Sequence, residues 1–179
     1  MLHAIVAAAR AAAPVGSTIS PTRASKVLLG ILDALGIPGG RAIAVRVLYA
    51  NAKAAPYLAH GVARGELPSG AHTVSVASDD PAPGKPWDGH VAVLLRGDHC
   101  RFLLDPAADR FARPEMGIPM GLGGMALPEI WTPQDPADYT LDDLSVAWYA
   151  PSMATSWQNS DDWTDDVSDA VAEALAALS

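Results

Sequence analysis

Cysteine is almost absent from the sequence: Cys100 is the single one among 179 residues. One thiol cannot form a disulfide within the chain, so an apolar core has to hold the fold together. So few thiols are typical of proteins from reducing compartments, and we therefore expect a cytoplasmic protein.

Long apolar runs are missing as well. No stretch of 18 consecutive apolar residues occurs, which predicts that no segment spans a membrane. Apolar residues recur at helical spacing near the N-terminus until Arg10 interrupts them. This pattern indicates an amphipathic helix and not a signal peptide.

Basic residues are missing from the last third of the chain. Every lysine and arginine lies at or before Arg113, whereas ten acidic residues lie from Trp131 onward, and the net charge is −8. This charge would repel a phosphate backbone, so nucleic-acid binding is disfavoured. The acidic stretch is most simply a solvated face, with contact to a basic partner as the alternative.

Two helical patterns open the chain. The first spans residues 2–13 and ends before Pro14, which cannot continue a helix. The second begins with Ser20 and Pro21, where serine caps the helix and proline takes its first position. Apolar residues then recur at helical spacing as far as Gly36 and predict a buried face.

Alternating apolar and polar residues mark strands in the middle of the chain, and a helical pattern returns at its end. The expected strands span residues 41–50, 72–77, 127–131 and 145–149, and the expected further helices span residues 51–64 and 161–178. This order is an α+β pattern. The length suits one domain, residues 1–179, that ends in an acidic helix.

Residues 106–128 are rich in glycine, proline and methionine, which argues against a long regular element. Long loops inside compact domains frequently line or cover a functional site. We expect this role for the central part of the stretch, residues 116–125, called the Gly/Met loop below.

A β-hairpin is predicted over residues 91–104. Two apolar runs, residues 91–95 and 101–104, flank a polar turn that contains the glycine a tight reversal needs. His90 opens the first strand and Asp105 closes the second, so antiparallel pairing would make their side chains neighbours.

A histidine held by a carboxylate is the orienting half of a catalytic triad. Ser20, at the start of a helix, is the candidate nucleophile, because the positive end of the helix dipole stabilises an anion. A plainer interpretation makes Ser20 an N-cap, His90 a strand-edge residue and Asp105 the start of an Asp-Pro turn. Trp87, three residues before His90, is a candidate wall of a substrate cleft.

Three segments together resemble the transglutaminase-like branch of the papain-like cysteine protease fold. Residues 24–39, with their Leu-Gly-Ile-Pro ending, are similar to the helix that follows the family's catalytic cysteine. Residues 89–93 resemble its His strand, and residues 103–106 resemble its Asp-Pro segment. Arylamine N-acetyltransferases share this layout, and residues 105–114 are loosely similar to their region after the Asp.

The resemblance implies an α+β fold in which N-terminal helices pack on an antiparallel sheet. It also implies acyl chemistry, either amide hydrolysis or acyl transfer through a covalent intermediate, with Ser20, His90 and Asp105 at the catalytic positions. The family's cysteine is missing: counting back from Leu-Gly-Ile-Pro reaches Ser20 or Pro21, with Thr18 and Ser17 nearby.

A serine hydroxyl is a far weaker nucleophile than a thiolate. The chain is therefore a serine-based relative, the product of an engineered Cys-to-Ser change, or a pseudoenzyme that kept the fold. We favour the pseudoenzyme, a non-catalytic module that binds a peptide or protein partner through the former cleft. The rival is an active hydrolase or acyltransferase that uses Ser20, His90 and Asp105.

The sequence predicts no metal site and no cofactor. The five histidines lack the spacing and the cysteine companions of a zinc site, although His72 and His90 would meet if their strands were adjacent. The glycines of the Gly/Met loop do not follow the pattern of a phosphate-binding loop. Cys100 is expected to be a small apolar filler or a thiol at the hairpin rim.

Overall fold

The computed structural model describes residues 1–15, 18–59, 66–76, 79–82, 85, 87–97, 100–132, 136–141 and 144–179. The helices are α1 (Leu2–Ala11), α2 (Pro21–Ala34), α3 (Ala55–Ala59), α4 (Asp161–Thr164) and α5 (Ser168–Leu178). The strands are β1 (Pro14–Val15), β2 (Thr18–Ile19), β3 (Gly40–Ala44), β4 (Val47–Asn51), β5 (Thr73–Val76), β6 (Val91–Arg96), β7 (Arg101–Leu104), β8 (Gly124–Ala126), β9 (Ala137–Leu141) and β10 (Leu144–Trp148). Short 3₁₀ helices span Ala108–Phe111, Pro114–Met116 and Ser156–Asn159.

Two four-stranded antiparallel sheets dominate the described strands. The first has the order β3-β6-β7-β8 and the second the order β5-β4-β10-β9, while β1 and β2 form a separate pair. The predicted α+β class is confirmed. The predicted hairpin is also confirmed, because β6 pairs with β7 and places Val93 opposite Leu104.

The single strand expected over residues 41–50 is wrong. Residues 40–44 pair with β6 and residues 47–51 pair with β10, so the chain crosses from one sheet to the other at Val45 and Arg46. The alternation that suggested one strand has a physical cause. The four apolar residues of that face all lie in the core between the sheets; they are Ile43, Val45, Val47 and Tyr49.

Helices α1, α2 and α5 cover the other face of the first sheet. Apolar residues of the three helices share a core with Val93, Leu95 and Leu104 of the hairpin. Gly30 allows α2 and α5 to approach closely, since a Cβ at this position would lie 2.6 Å from Val171 Cγ2. The fold thus has three layers, and residues 91–95 of β6 are buried on both faces of the first sheet.

The expected helix over residues 161–178 is broken between α4 and α5. Asp166 Oδ1 accepts hydrogen bonds from the backbone N–H and the hydroxyl of Ser168, which starts α5 at this serine. Short polar side chains favour such local hydrogen bonds to the backbone over a helix interior. Trp163 lies in α4 and packs edge to face against Trp157, with ring centroids 4.7 Å apart.

The remaining boundaries differ by a few residues. Helix α1 ends at Ala11. The strand expected at residues 127–131 is wrong, because no strand forms there and β8 ends just before it, at Ala126. The helix expected over residues 51–64 is α3, residues 55–59, and residues 60–64 lie outside the described residues. The strands expected at residues 72–77 and 145–149 are β5 and β10, the former ending at Val76.

Asp80 ties the loop before the hairpin to the C-terminal part of the chain. Its carboxylate accepts hydrogen bonds from the Ser156 hydroxyl and from the backbone N–H groups of Ser156 and Thr155. The bond from the Ser156 hydroxyl is the main cause that lowers the pKa of Asp80, and the two N–H groups act in the same direction. The contact therefore favours the charged carboxylate.

We expect Asp80→Ala to lower Tm at about pH 7 and to have a progressively smaller effect as the pH falls below about 3.9. Because the folded pKa is depressed, the contribution is present above the unfolded pKa of about 3.9 and is lost as pH falls through the folded pKa. Thermal unfolding of the parent, Asp80→Ala and the matched control Asp79→Ala measures this. Equal Tm values for the two variants at the higher pH would contradict the role of Asp80.

Candidate functional site

His90 and Asp105 meet at the end of the hairpin. His90 directly precedes β6, Asp105 directly follows β7, and His90 Nε2 lies 2.8 Å from Asp105 Oδ2. Both residues are 0% exposed. An ionised carboxylate only accepts hydrogen bonds, so Nε2 carries the proton of this bond. The predicted neighbourhood of the two side chains is present.

The other Asp105 contacts fix its carboxylate. Asp105 Oδ1 accepts a 3.1 Å hydrogen bond from Ala107 N, and Asp105 N donates a 2.8 Å bond to Gly123 O. The aspartate therefore forms the expected Asp-Pro turn and holds His90 at the same time. The sequence left open whether Asp105 is the partner of His90 or the start of a turn, and the residue takes both positions.

Two neighbouring titratable groups respond to this buried carboxylate. Burial is the main cause that raises the pKa of Tyr49 well above its usual value, and the Asp105 charge adds to it. Burial also lowers the pKa of the Arg110 guanidinium, and the same Asp105 charge opposes that shift. Burial is therefore the larger effect on the pKa of both groups, and the nearby Asp105 carboxylate is the second.

The second ring nitrogen of His90 has no hydrogen-bond partner among the described residues. Nδ1 is buried, and the ring packs edge to face on Phe111 with centroids 4.8 Å apart. Phe111 in turn stacks on Tyr49, at 4.9 Å. A buried polar atom without a partner costs free energy and calls for an explanation. In a triad this nitrogen would face the nucleophile.

Ser20 is the N-cap that the sequence predicts. Its Oγ accepts a 3.4 Å hydrogen bond from Arg23 N, and Pro21 takes the first position of α2. The hydroxyl donates to Asp162 Oδ2 at 2.5 Å and lies 2.9 Å from Thr22 Oγ1. In the described part of the chain no hydrogen bond joins Ser20 to His90. The structure brings together two of the three predicted triad residues and directs the third to Asp162.

Ser25 is the α2 residue whose hydroxyl reaches the His strand. Its Oγ donates a 3.0 Å hydrogen bond to Val91 O, and the residue is 0% exposed. The hydrogen bond from Ser25 was not predicted from the sequence. The available signal was a hydroxyl beside the apolar stripe of α2, adjacent to Ala24 and three residues before Leu28.

Trp87 lies close to the start of β6 and is partly buried. It packs with Ala44, Val91 and Trp157, and its indole Nε1 is buried without a partner among the described residues. Trp163 packs against the same cluster. A substrate-binding role for Trp87 stays a prediction, and in this conformation the aromatic cluster occupies the space around the indole.

The Gly/Met loop covers the end of the hairpin. Leu122 N donates a 3.2 Å hydrogen bond to Tyr49 Oη, next to the bond from Asp105 N to Gly123 O. A Cβ at Gly121 would lie 2.0 Å from Ala108 O, so only glycine fits there. The expectation that this loop covers the His–Asp region agrees with these contacts.

The other sequence candidates are spread over the fold. Cys100 is exposed at the hairpin end. The described residues contain no group of His, Cys, Asp or Glu side chains able to hold a metal ion. Ser17, His60 and His99 lie outside the described residues.

No described helix combines the length and the apolar character needed to cross a membrane.

Comparisons with protein-family models, curated proteins and solved structures gave no match for this chain.

We expect Asp105→Ala to lower the free energy of unfolding by about 1–3 kcal/mol. The change removes the partner of a buried histidine and leaves both of its ring nitrogens unpaired. Urea unfolding measures the loss, with Asp109→Ala as the matched control. Asp109 forms an ion pair with Arg10 at the surface, worth about 0.5 kcal/mol. Similar losses for the two variants would contradict a structural role for the buried pair.

Proposed function

We propose that the chain is a degenerate transglutaminase-like domain, with a papain-like fold, that binds a peptide or protein partner without catalysis. The order of its elements supports this assignment: a buried helix, then the strand that follows His90, then the strand that ends at Asp105. The His–Asp hydrogen bond between adjacent strands supports it further. A cytoplasmic location fits the single cysteine.

The burial and the hydrogen-bond partners of the three triad residues carry the non-catalytic proposal. A general base has to lie within hydrogen-bond reach of the proton it takes. His90 is withdrawn from solvent and bonded to Asp105, whereas the Ser20 hydroxyl is bonded to Asp162. Serine is in addition a weak nucleophile without a base. The pair then acts as a buried polar anchor between the ends of β6 and β7.

One observation favours the rival function, an amide hydrolase or acyltransferase. Asp105 holds His90 through Nε2 and leaves Nδ1 unpartnered among the described residues, which is the arrangement of a general base that awaits a nucleophile. Catalysis would require that Ser20 leaves Asp162 and reaches Nδ1. The unpaired nitrogen is thus either a remnant of the ancestral site or the free position of a working one.

A fluorophosphonate probe separates the two functions. We expect no covalent adduct on the parent protein under conditions that label a known serine hydrolase completely, because the Ser20 hydroxyl is bonded to Asp162 and not to the His90 imidazole. Intact-mass spectrometry measures the adduct. Labelling that is lost in both Ser20→Ala and His90→Ala, each still folded by circular dichroism, would overturn the non-catalytic function.

A further inference from the structure

A segment near the C-terminus covers the start of α2 and the start of β6. We call residues 155–165, which include the 3₁₀ helix Ser156–Asn159 and helix α4, the C-terminal strap. The strap joins β10 to α5 and contains Trp157, Asp162 and Trp163. It therefore lies over the two elements from which the proposed binding cleft is built.

Polar contacts hold the strap on the first turns of α2. Besides the Ser20–Asp162 bond, Lys26 Nζ donates to Trp163 O at 2.5 Å and to Asp165 O. Arg23 Nη1 lies 3.9 Å from an Asp165 carboxylate oxygen. The first turn of α2 has no acidic residue of its own. The strap thus supplies the negative charge that a helix N-terminus favours.

Apolar contacts hold the strap beside His90. Trp157 is 4% exposed and forms a cluster with Ala44 and with Val91, the residue that follows His90. Trp163 packs on Trp157 and on this cluster. Buried indoles supply large apolar contact areas, and they dominate many binding surfaces.

The strap is separate from the two large core clusters. Its tryptophans belong to a small third cluster, whereas α5 is anchored independently by Ala170 and Ala174 in the helical core. Its helices have only four residues each. Elements of this kind open at lower free energy than the core does. Release of the strap would therefore leave the three-layer core in place.

We propose that the strap is an internal ligand of the binding surface, and that the partner is an acidic, tryptophan-containing peptide segment that displaces it. This inference rests on the proposed binding function. The chemistry follows from the groups that the strap now presents. It offers a carboxylate to the Ser20 hydroxyl and an indole that packs on Ala44 and Val91. It also places a carboxylate near Arg23 and backbone carbonyls at Lys26. A peptide that binds only when the strap is released has a lower apparent affinity for the parent protein than for a variant whose strap is already released.

The test uses a fluorescein-labelled peptide with the sequence of residues 155–167 and the full-length protein. Fluorescence anisotropy compares the parent, Asp162→Asn/Trp163→Ala and the matched control Asp161→Asn, whose side chain has no hydrogen bond to a described residue. We expect the double variant to bind the peptide at least about tenfold more tightly than the parent and the control do. Adding Arg23→Ala and Lys26→Ala to the double variant should abolish this gain.

Equal affinity of the parent and the double variant would overturn the proposal, as would a gain that survives replacement of both tryptophans in the peptide. If the double variant does not unfold cooperatively, the peptide affinity of the single variant Asp162→Asn is compared with that of the parent instead. Asparagine has nearly the same shape as aspartate, so this change removes only the charge. Fluorophosphonate labelling of the opened protein keeps the two proposals apart. An adduct on Ser20 would overturn the non-catalytic function, whereas absent peptide binding without an adduct would overturn only the role of the strap.

Discussion

The hydrogen bond between His90 and Asp105 joins two side chains that are both withdrawn from solvent. Neither group is stable in such a place alone, because a buried polar group without a partner loses its hydration. The bond therefore fixes the ends of β6 and β7 and, through Asp105 N, the Gly/Met loop at Gly123. Phe111, from the 3₁₀ helix that follows Asp105, packs on the His90 ring, and Tyr49, from the second sheet, stacks on Phe111.

Local signals explain why much of this region is predictable from sequence. The Ser20–Pro21 cap, the apolar stripe of α2 and the hairpin each depend on neighbours within one element. The crossing at Val45 and Arg46 could not be predicted in this way. Apolar residues alternate without a break across it, because both sheets pack on the same core. The Asp162 contact to Ser20 spans 142 residues, and no local pattern specifies such a partner.

The uneven charge of the chain acquires a structural meaning from the strap. Acidic residues after Trp131 were expected to form a solvated face, and several of them are indeed exposed. Asp162 instead is half-buried against the first turn of α2, where its carboxylate accepts a hydrogen bond from the Ser20 hydroxyl, and the exposed Asp165 lies 3.9 Å from Arg23. Part of the acidic stretch thus contacts α2 within the same chain. The number of charges in a sequence does not distinguish such contacts from a solvated surface.

The burial of His90 should close its unpaired Nδ1 to reagents while the protein is folded. Modification with diethyl pyrocarbonate tests this directly, since the reagent acylates accessible neutral imidazole nitrogens. Peptide mapping by mass spectrometry compares His90 with His3, which is exposed. We predict that His3 is modified and that His90 stays unmodified until the protein unfolds. Modification of His90 in the folded protein at the rate of His3 would contradict the account.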